Sequence, residues 1–151
     1  MAGNINFEET VSYLLAKVTT AFRNSLERNM GVIGLHGGQI FVLLELWEKD
    51  GLRQIDIANR LNLSAPTVNK MIKGLIEVNL VTRKRVEDDA RSTRIFLTKS
   101  GYEMRANVEA QWIDLEESCL IGLSETERLV LFDLLGRLRN TYTGRKSDTE
   151  E

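Results

Sequence analysis

Lys70 and Lys73 lie three residues apart in a segment that also holds Thr67 and Asn69, and Arg83, Lys84 and Arg85 follow as an unbroken basic run. At 100° per residue on a helix, with Val68, Ile72 and Leu75 turned inward, the outward arc carries Pro66, Thr67, Lys70, Lys73 and Gly74, with Asn69 on its flank. No acid stands on that arc before Glu77. Ammonium and guanidinium groups neutralise phosphates, whereas hydroxyl, amide and well-placed lysine donors read base edges. The chemistry expected is therefore binding of duplex DNA. Thr67, Asn69 and Lys70 are expected to reach base edges, Lys73 and Arg83 to Arg85 to contact phosphates, and Arg91 to enter a minor groove from the tip of a β-ribbon. Asp89 is expected to pair with Arg91 or Arg94 and so to fix the tip, although an exposed pair of this kind adds little stability.

The whole-chain charge points the other way. In 151 residues, 20 Lys and Arg stand against 22 Asp and Glu, a net charge of −2. The charge is unevenly distributed, however. Between Gly51 and Lys99 there are ten basic and five acidic residues, a net +5, which leaves −7 for the flanks. A basic middle between acidic ends is informative where the total is not.

The elements that must position these groups are mostly helical. Phe7, Val11, Leu14, Leu15, Val18, Phe22 and Leu26 recur in steps of three and four, predicting a helix from Phe7 to Leu26. Glycines at 31, 34, 37 and 38 mark a connection, and Gln39 to Lys49 resumes a helical period that Asp50-Gly51 closes. Ile55, Ile57, Ala58 and Leu61 predict a short helix. Asn62 suits a tight left-handed turn, Ser64 caps the next helix and Pro66 lies in its first turn. Asn79 ends that second helix, which buries Val68, Met71, Ile72, Leu75 and Ile76. Leu80 to Val86 and Thr93 to Leu97 then read as extended segments. Helix, turn, helix and ribbon together predict a winged helix-turn-helix. Downstream, Lys99 to Ile121 fits a long helix less cleanly. Ser124-Glu125-Thr126-Glu127 is a capping box opening a last helix that runs to about Tyr142. The fold class expected is mainly α with a small two- or three-stranded β wing. Four regions are expected: residues 1–34 as an N-terminal dimerisation helix and connection, 35–98 as the DNA-binding module, 99–142 as linker and C-terminal dimerisation helices, and 143–151 as a tail.

Three stretches resemble the MarR family of bacterial transcriptional regulators. They are Leu35 to Gln39, Gln54 to Lys70, and Asp89 to Gly101, the last similar to the family's Asp-x-Arg wing followed by Leu-Thr-x-x-Gly. The resemblance covers nearly the whole chain and implies an obligate homodimer, each winged module reading half of a pseudo-palindromic operator. The implied dimer stripe is Phe7, Val11, Leu14 and Leu15 with Leu131, Leu134, Leu135, Leu138 and Tyr142. It further implies a repressor released by a small lipophilic or phenolic effector, for which Tyr13, His36 and Trp112 are the candidate contacts. His36 is first of all expected to cap or to sit in a loop, and Tyr13 and Trp112 to pack.

Other chemistries find little support. One His and one Cys, Cys119, leave no metal-ligand set and no intramolecular disulfide, so no cofactor or metal is expected and Cys119 is expected to be a buried, inert thiol. Paired catalytic carboxylates, a His–Ser dyad and a Gly-rich phosphate loop do not occur, which argues against an enzyme. The alternative is a winged-helix module that binds another protein rather than DNA. The longest apolar run, Ile40 to Leu44, is far shorter than the roughly 20 residues of a membrane span, and the start lacks a signal-peptide pattern. A cytoplasmic protein is expected.

Overall fold

The computed structural model describes residues 3–86 and 93–144. Its described residues form six α-helices and a three-stranded antiparallel sheet: α1 (Val11–Val32), α2 (Gln39–Glu48), β1 (Leu52–Arg53), α3 (Gln54–Leu61), α4 (Ala65–Glu77), β2 (Val81–Arg85), β3 (Thr93–Leu97), α5 (Lys99–Leu120) and α6 (Glu125–Gly144). The chain divides into two compact units, one ending at Leu115 and the other beginning at Glu116. Among the described residues no helix is long and apolar enough to cross a membrane.

Local chemistry sets most element boundaries. The first helix begins later and runs further than its apolar spacing predicts. Thr10 is extended and its hydroxyl accepts the Tyr13 N–H at 3.2 Å, so helix starts at Val11, while Phe7 belongs to a separate 3-10 turn, Phe7–Glu9. Beyond Leu26 the inward stripe continues to Met30, and Gly34, in the left-handed region at φ 83°, turns the chain away. Gly38 is likewise left-handed and opens α2.

Between α3 and α4 the chain reverses in a turn centred on Asn62, whose φ of 54° and ψ of 43° place it in the left-handed region. The Leu63 N–H reaches back to the Ala58 carbonyl at 3.1 Å, and Ser64 then caps α4. Val68, Ile72 and Leu75 on α4 and Ile57 on α3 are fully buried against Leu43 and Leu46 of α2 and Ile95 of β3. Met71 and Ile76, expected in the core, are only half-buried, and Ile55 is 51% exposed, because at its position in α3 the core face is taken by Ile57 and Ala58.

The sheet order is β1-β3-β2. Val81, Arg83 and Arg85 lie opposite Leu97, Ile95 and Thr93, whereas Thr82 and Lys84 lie opposite Phe96 and Arg94. Directly paired residues share a face, so the pleat sends Arg83 and Arg85 to the core side of the sheet and Lys84 to the other. Strand β1 is the third strand; its two residues, Leu52 and Arg53, pair with Ile95 and Arg94. Gly101 opens α5 so close to this sheet that a Cβ there would overlap the Leu80 carbonyl oxygen. The Trp47 indole N–H donates to the Gly101 carbonyl at 3.0 Å, and Asp50 accepts from the Leu97 N–H and from the Tyr102 hydroxyl, tying α2, β3 and α5 together. That hydrogen bond to a carboxylate holds the Tyr102 phenol above its usual pKa.

Candidate nucleic-acid interface

Helix α4 presents the expected arc to solvent. Pro66, Thr67, Lys70 and Lys73 are exposed, and neither lysine has an ion-pair partner among the described residues. The Ser64 hydroxyl accepts the Thr67 N–H at 3.3 Å and lies 2.8 Å from the Thr67 hydroxyl, which fixes the first turn of the helix. This turn therefore has a defined geometry at the end where the arc begins.

The cations of the sheet have different settings. Arg85 is exposed. Lys84 lies with its ammonium 5.7 Å from the centre of the Phe96 ring, a cation–π contact on the outer face. Arg94 is half-buried and donates to the Gly51 carbonyl at 2.9 Å, so its guanidinium is laid against the base of the wing. Arg53, directly across from Arg94, holds Asp56 through two hydrogen bonds of 2.8 and 3.0 Å, which keep that carboxylate below its usual pKa. Arg83 is also exposed, and its guanidinium lies 3.3 Å from both the Gln54 and the Asn69 side-chain oxygens. Gln54, at the first position of α3, in turn donates to Asn69 at 3.3 Å. Asp89 and Arg91 lie outside the described residues, so their expected pairing and minor-groove role do too, as does most of the expected tail.

The three candidate ligand contacts do not form one site. His36 borders a groove of about 450 Å³ that is also lined by Arg23, Met30, Phe41, Thr67 and Met71. Trp112 lies in a different concavity, of about 570 Å³, with Trp47 and Arg105. Tyr13 lines neither; its ring receives the Lys17 ammonium at 5.4 Å. His36 does not cap α2, since Gly38 occupies that place, and its N–H donates to the Gln39 side chain at 3.0 Å. Cys119 is exposed rather than buried, because it falls on the outward side of α5. Partial desolvation and the nearby Glu116 charge push its thiol pKa up, which disfavours the reactive thiolate. No group of three or more His, Cys, Asp or Glu among the described residues is placed to hold a metal.

The winged module also has a counterpart in sequence. Residues 36–93 match the family model described as MarR family. The uncharacterized HTH-type transcriptional regulator YwoH of Bacillus subtilis (strain 168) is 30% identical over 95 residues, covering 63% of this chain and 69% of YwoH. The chain belongs to the MarR family. A second member-like relative, the HTH-type transcriptional regulator TtmR of Methylorubrum extorquens (strain PA1), is 32% identical over 112 residues, or 74% of this chain. That match spans only 56% of TtmR, little more than half its length. A solved crystal structure of MarR superimposes with a TM-score of 0.84 over 97% of this chain and 99% of that one at 18% identity, so the mainly helical winged fold is the MarR fold.

Proposed function

We propose that this MarR-family chain is a sequence-specific DNA-binding transcriptional repressor of the cytoplasm, acting as a homodimer with each winged module on one half of a pseudo-palindromic operator. The observation that carries the reading is the α4 arc: Thr67, Lys70 and Lys73 stand exposed, neither lysine has an ion-pair partner among the described residues, and Lys84 and Arg85 of the sheet are exposed as well. A helix fits the major groove, and cations beside it meet the flanking phosphates. Acidic flanks of net −7 favour approach of DNA to the basic module over the rest of the surface.

The dimer is supported by uncovered apolar surface. Phe7, Val11 and Leu14 at one end of the chain, and Leu134, Leu135, Leu138 and Tyr142 at the other, are exposed, while Leu15 and Leu131 are half-buried. Apolar stripes left exposed at each end of the chain are what a second copy would cover. Repression is released, on this reading, by a small lipophilic or phenolic effector in the groove that His36 borders. Thr67 and Met71 of α4 line that groove, so an occupant contacts the recognition helix directly.

Mobility shift with a mixed duplex across a salt series tests the core of the proposal. The logarithm of the affinity should fall linearly with the logarithm of salt, by about 0.9 for each phosphate neutralised. Absence of any shift at low salt would overturn DNA binding in favour of a protein-interaction module.

A further inference from the structure

The hydrogen-bonded triangle of Gln54, Asn69 and Arg83 joins the first position of α3, the flank of α4 and the core side of β2. Its polarity is fixed by chemistry. A guanidinium has only N–H donors, so the atoms of Gln54 and Asn69 that lie 3.3 Å from the Arg83 Nη2 must be their carbonyl oxygens. Amide orientations are ordinarily ambiguous and are settled by such a neighbour. Once Gln54 Oε1 is committed to Arg83, Gln54 can offer Asn69 only its Nε2, and that group donates to the same Oδ1. The Asn69 oxygen thus accepts two hydrogen bonds within the protein, its full lone-pair complement. The Asn69 Nδ2, with two N–H donors, has no partner among the described residues.

This asymmetry bears on what Asn69 can read. An asparagine that recognises adenine uses both ends of its amide, accepting from N6 and donating to N7. Held by Arg83 and Gln54, Asn69 has nothing left to accept with. Guanine offers two major-groove acceptors, O6 and N7, and so matches a side chain that only donates.

Accepting the DNA-binding reading above, on which this step rests, we infer that Arg83 and Gln54 are specificity-determining positioning residues: they lock Asn69 as a donor-only reader that selects guanine over adenine at one base pair of each half-site. Arg83 is the decisive member, because it alone cannot reverse its polarity. Without it both amides are free to flip, and the Gln54–Asn69 hydrogen bond can form in either sense.

The experiment is a selection of bound duplexes from a random pool with the full-length chain, followed by single-base replacements in the selected site. One position should prefer guanine over adenine by roughly tenfold, and Asn69→Ala should abolish that preference. Replacing this guanine with 7-deazaguanine, which lacks the N7 acceptor, should weaken binding of the wild-type chain. Arg83→Met should bring guanine and adenine to within about twofold. Arg83→Lys, still donor-only, should keep the preference, and it separates polarity from loss of charge. The ratio of affinities at that position is the readout, since Arg83→Met also weakens binding to every duplex. An unchanged ratio in Arg83→Met, an Asn69-dependent preference for adenine, or base preferences indifferent to Asn69→Ala would each overturn the inference while leaving DNA binding intact. Failure of the wild-type chain to bind any duplex would take down both readings.

Discussion

Helices α4 and α6 start alike and end differently. Each opens with a serine that accepts the N–H of the residue three further on at 3.3 Å, Ser64 from Thr67 and Ser124 from Glu127. Each then carries aliphatic residues at helical spacing. In α4 the stripe of Val68, Ile72 and Leu75 is completely buried. In α6 none of the described residues is buried, and Leu134, Leu135 and Leu138 each remain more than 40% exposed. Capping and periodicity decide that a segment is helical; they do not decide what covers it. The stripe of α4 is completed within one chain, and the proposed second copy would complete that of α6.

The largest effect should come from spoiling the uncovered stripe. Leu134→Glu combined with Leu138→Glu places charges on both sides of the proposed symmetric contact, and sedimentation at micromolar concentration should show a monomer. Operator affinity should then fall by about a hundredfold or more, since two linked half-sites bind far more tightly than one. A variant that sediments like the wild type would mean that α6 is not the dimer contact. The buried stripe offers the converse. Ile72→Ala should cost about 2–5 kcal/mol in urea unfolding, the range for deleting most of a fully buried aliphatic side chain. Ile55→Ala, half-exposed on the adjacent helix, should change stability by less than about 0.5 kcal/mol. Equal losses at the two positions would contradict the burial described for α3 and α4. Removing either cap is next in size: Ser64→Ala and Ser124→Ala should each cost about 1 kcal/mol. Only Ser64→Ala should also weaken operator binding, because it loosens the turn that carries Thr67.

Features set by neighbours in sequence were legible in advance. The left-handed turn at Asn62, the Ser64 cap, the capping box at Ser124 and the two longer strands all follow from side chains within a few residues of each other. Phe7 was misleading, because its spacing from Val11 fits a helical stripe although Thr10 stops the helix between them. Strand β1 has two residues, too few to show any period. The basic residues were identifiable by type, but their partners were not. Arg94 finds its acceptor 43 residues away, at Gly51, and Arg83 finds Asn69 14 residues away and Gln54 29 away. Such pairings depend on strand register, which a one-residue slip would reverse. Gln54 carries no local signal beyond being a polar residue at the start of a short helix, so its hydrogen bonds to Asn69 and Arg83 are not legible in the sequence.

The two caps also differ in whether acid can undo them. At α6 the Glu127 carboxylate accepts the Ser124 N–H at 2.8 Å, and this hydrogen bond, with the Ser124 side chain second, holds the Glu127 pKa below its usual value. At α4 the corresponding residue is Thr67, which does not titrate. A carboxylate whose pKa is lowered by folding contributes stability that is fully present above its unfolded pKa and is lost as pH falls through the folded one. Between neutral pH and the carboxylate range the two helix starts should therefore be equally protected, and below that range α6 alone should loosen at its first turn. Amide exchange at Ser124 and Thr67, followed as pH is lowered and corrected for intrinsic rates, reads the difference. Glu127→Gln keeps an acceptor but removes the charge, and it should flatten the acid response at Ser124 without altering that at Thr67. An acid-dependent loss of protection at Ser124 that persists in Glu127→Gln would show that the titrating group lies elsewhere, and the contrast between the two caps would then rest on burial alone.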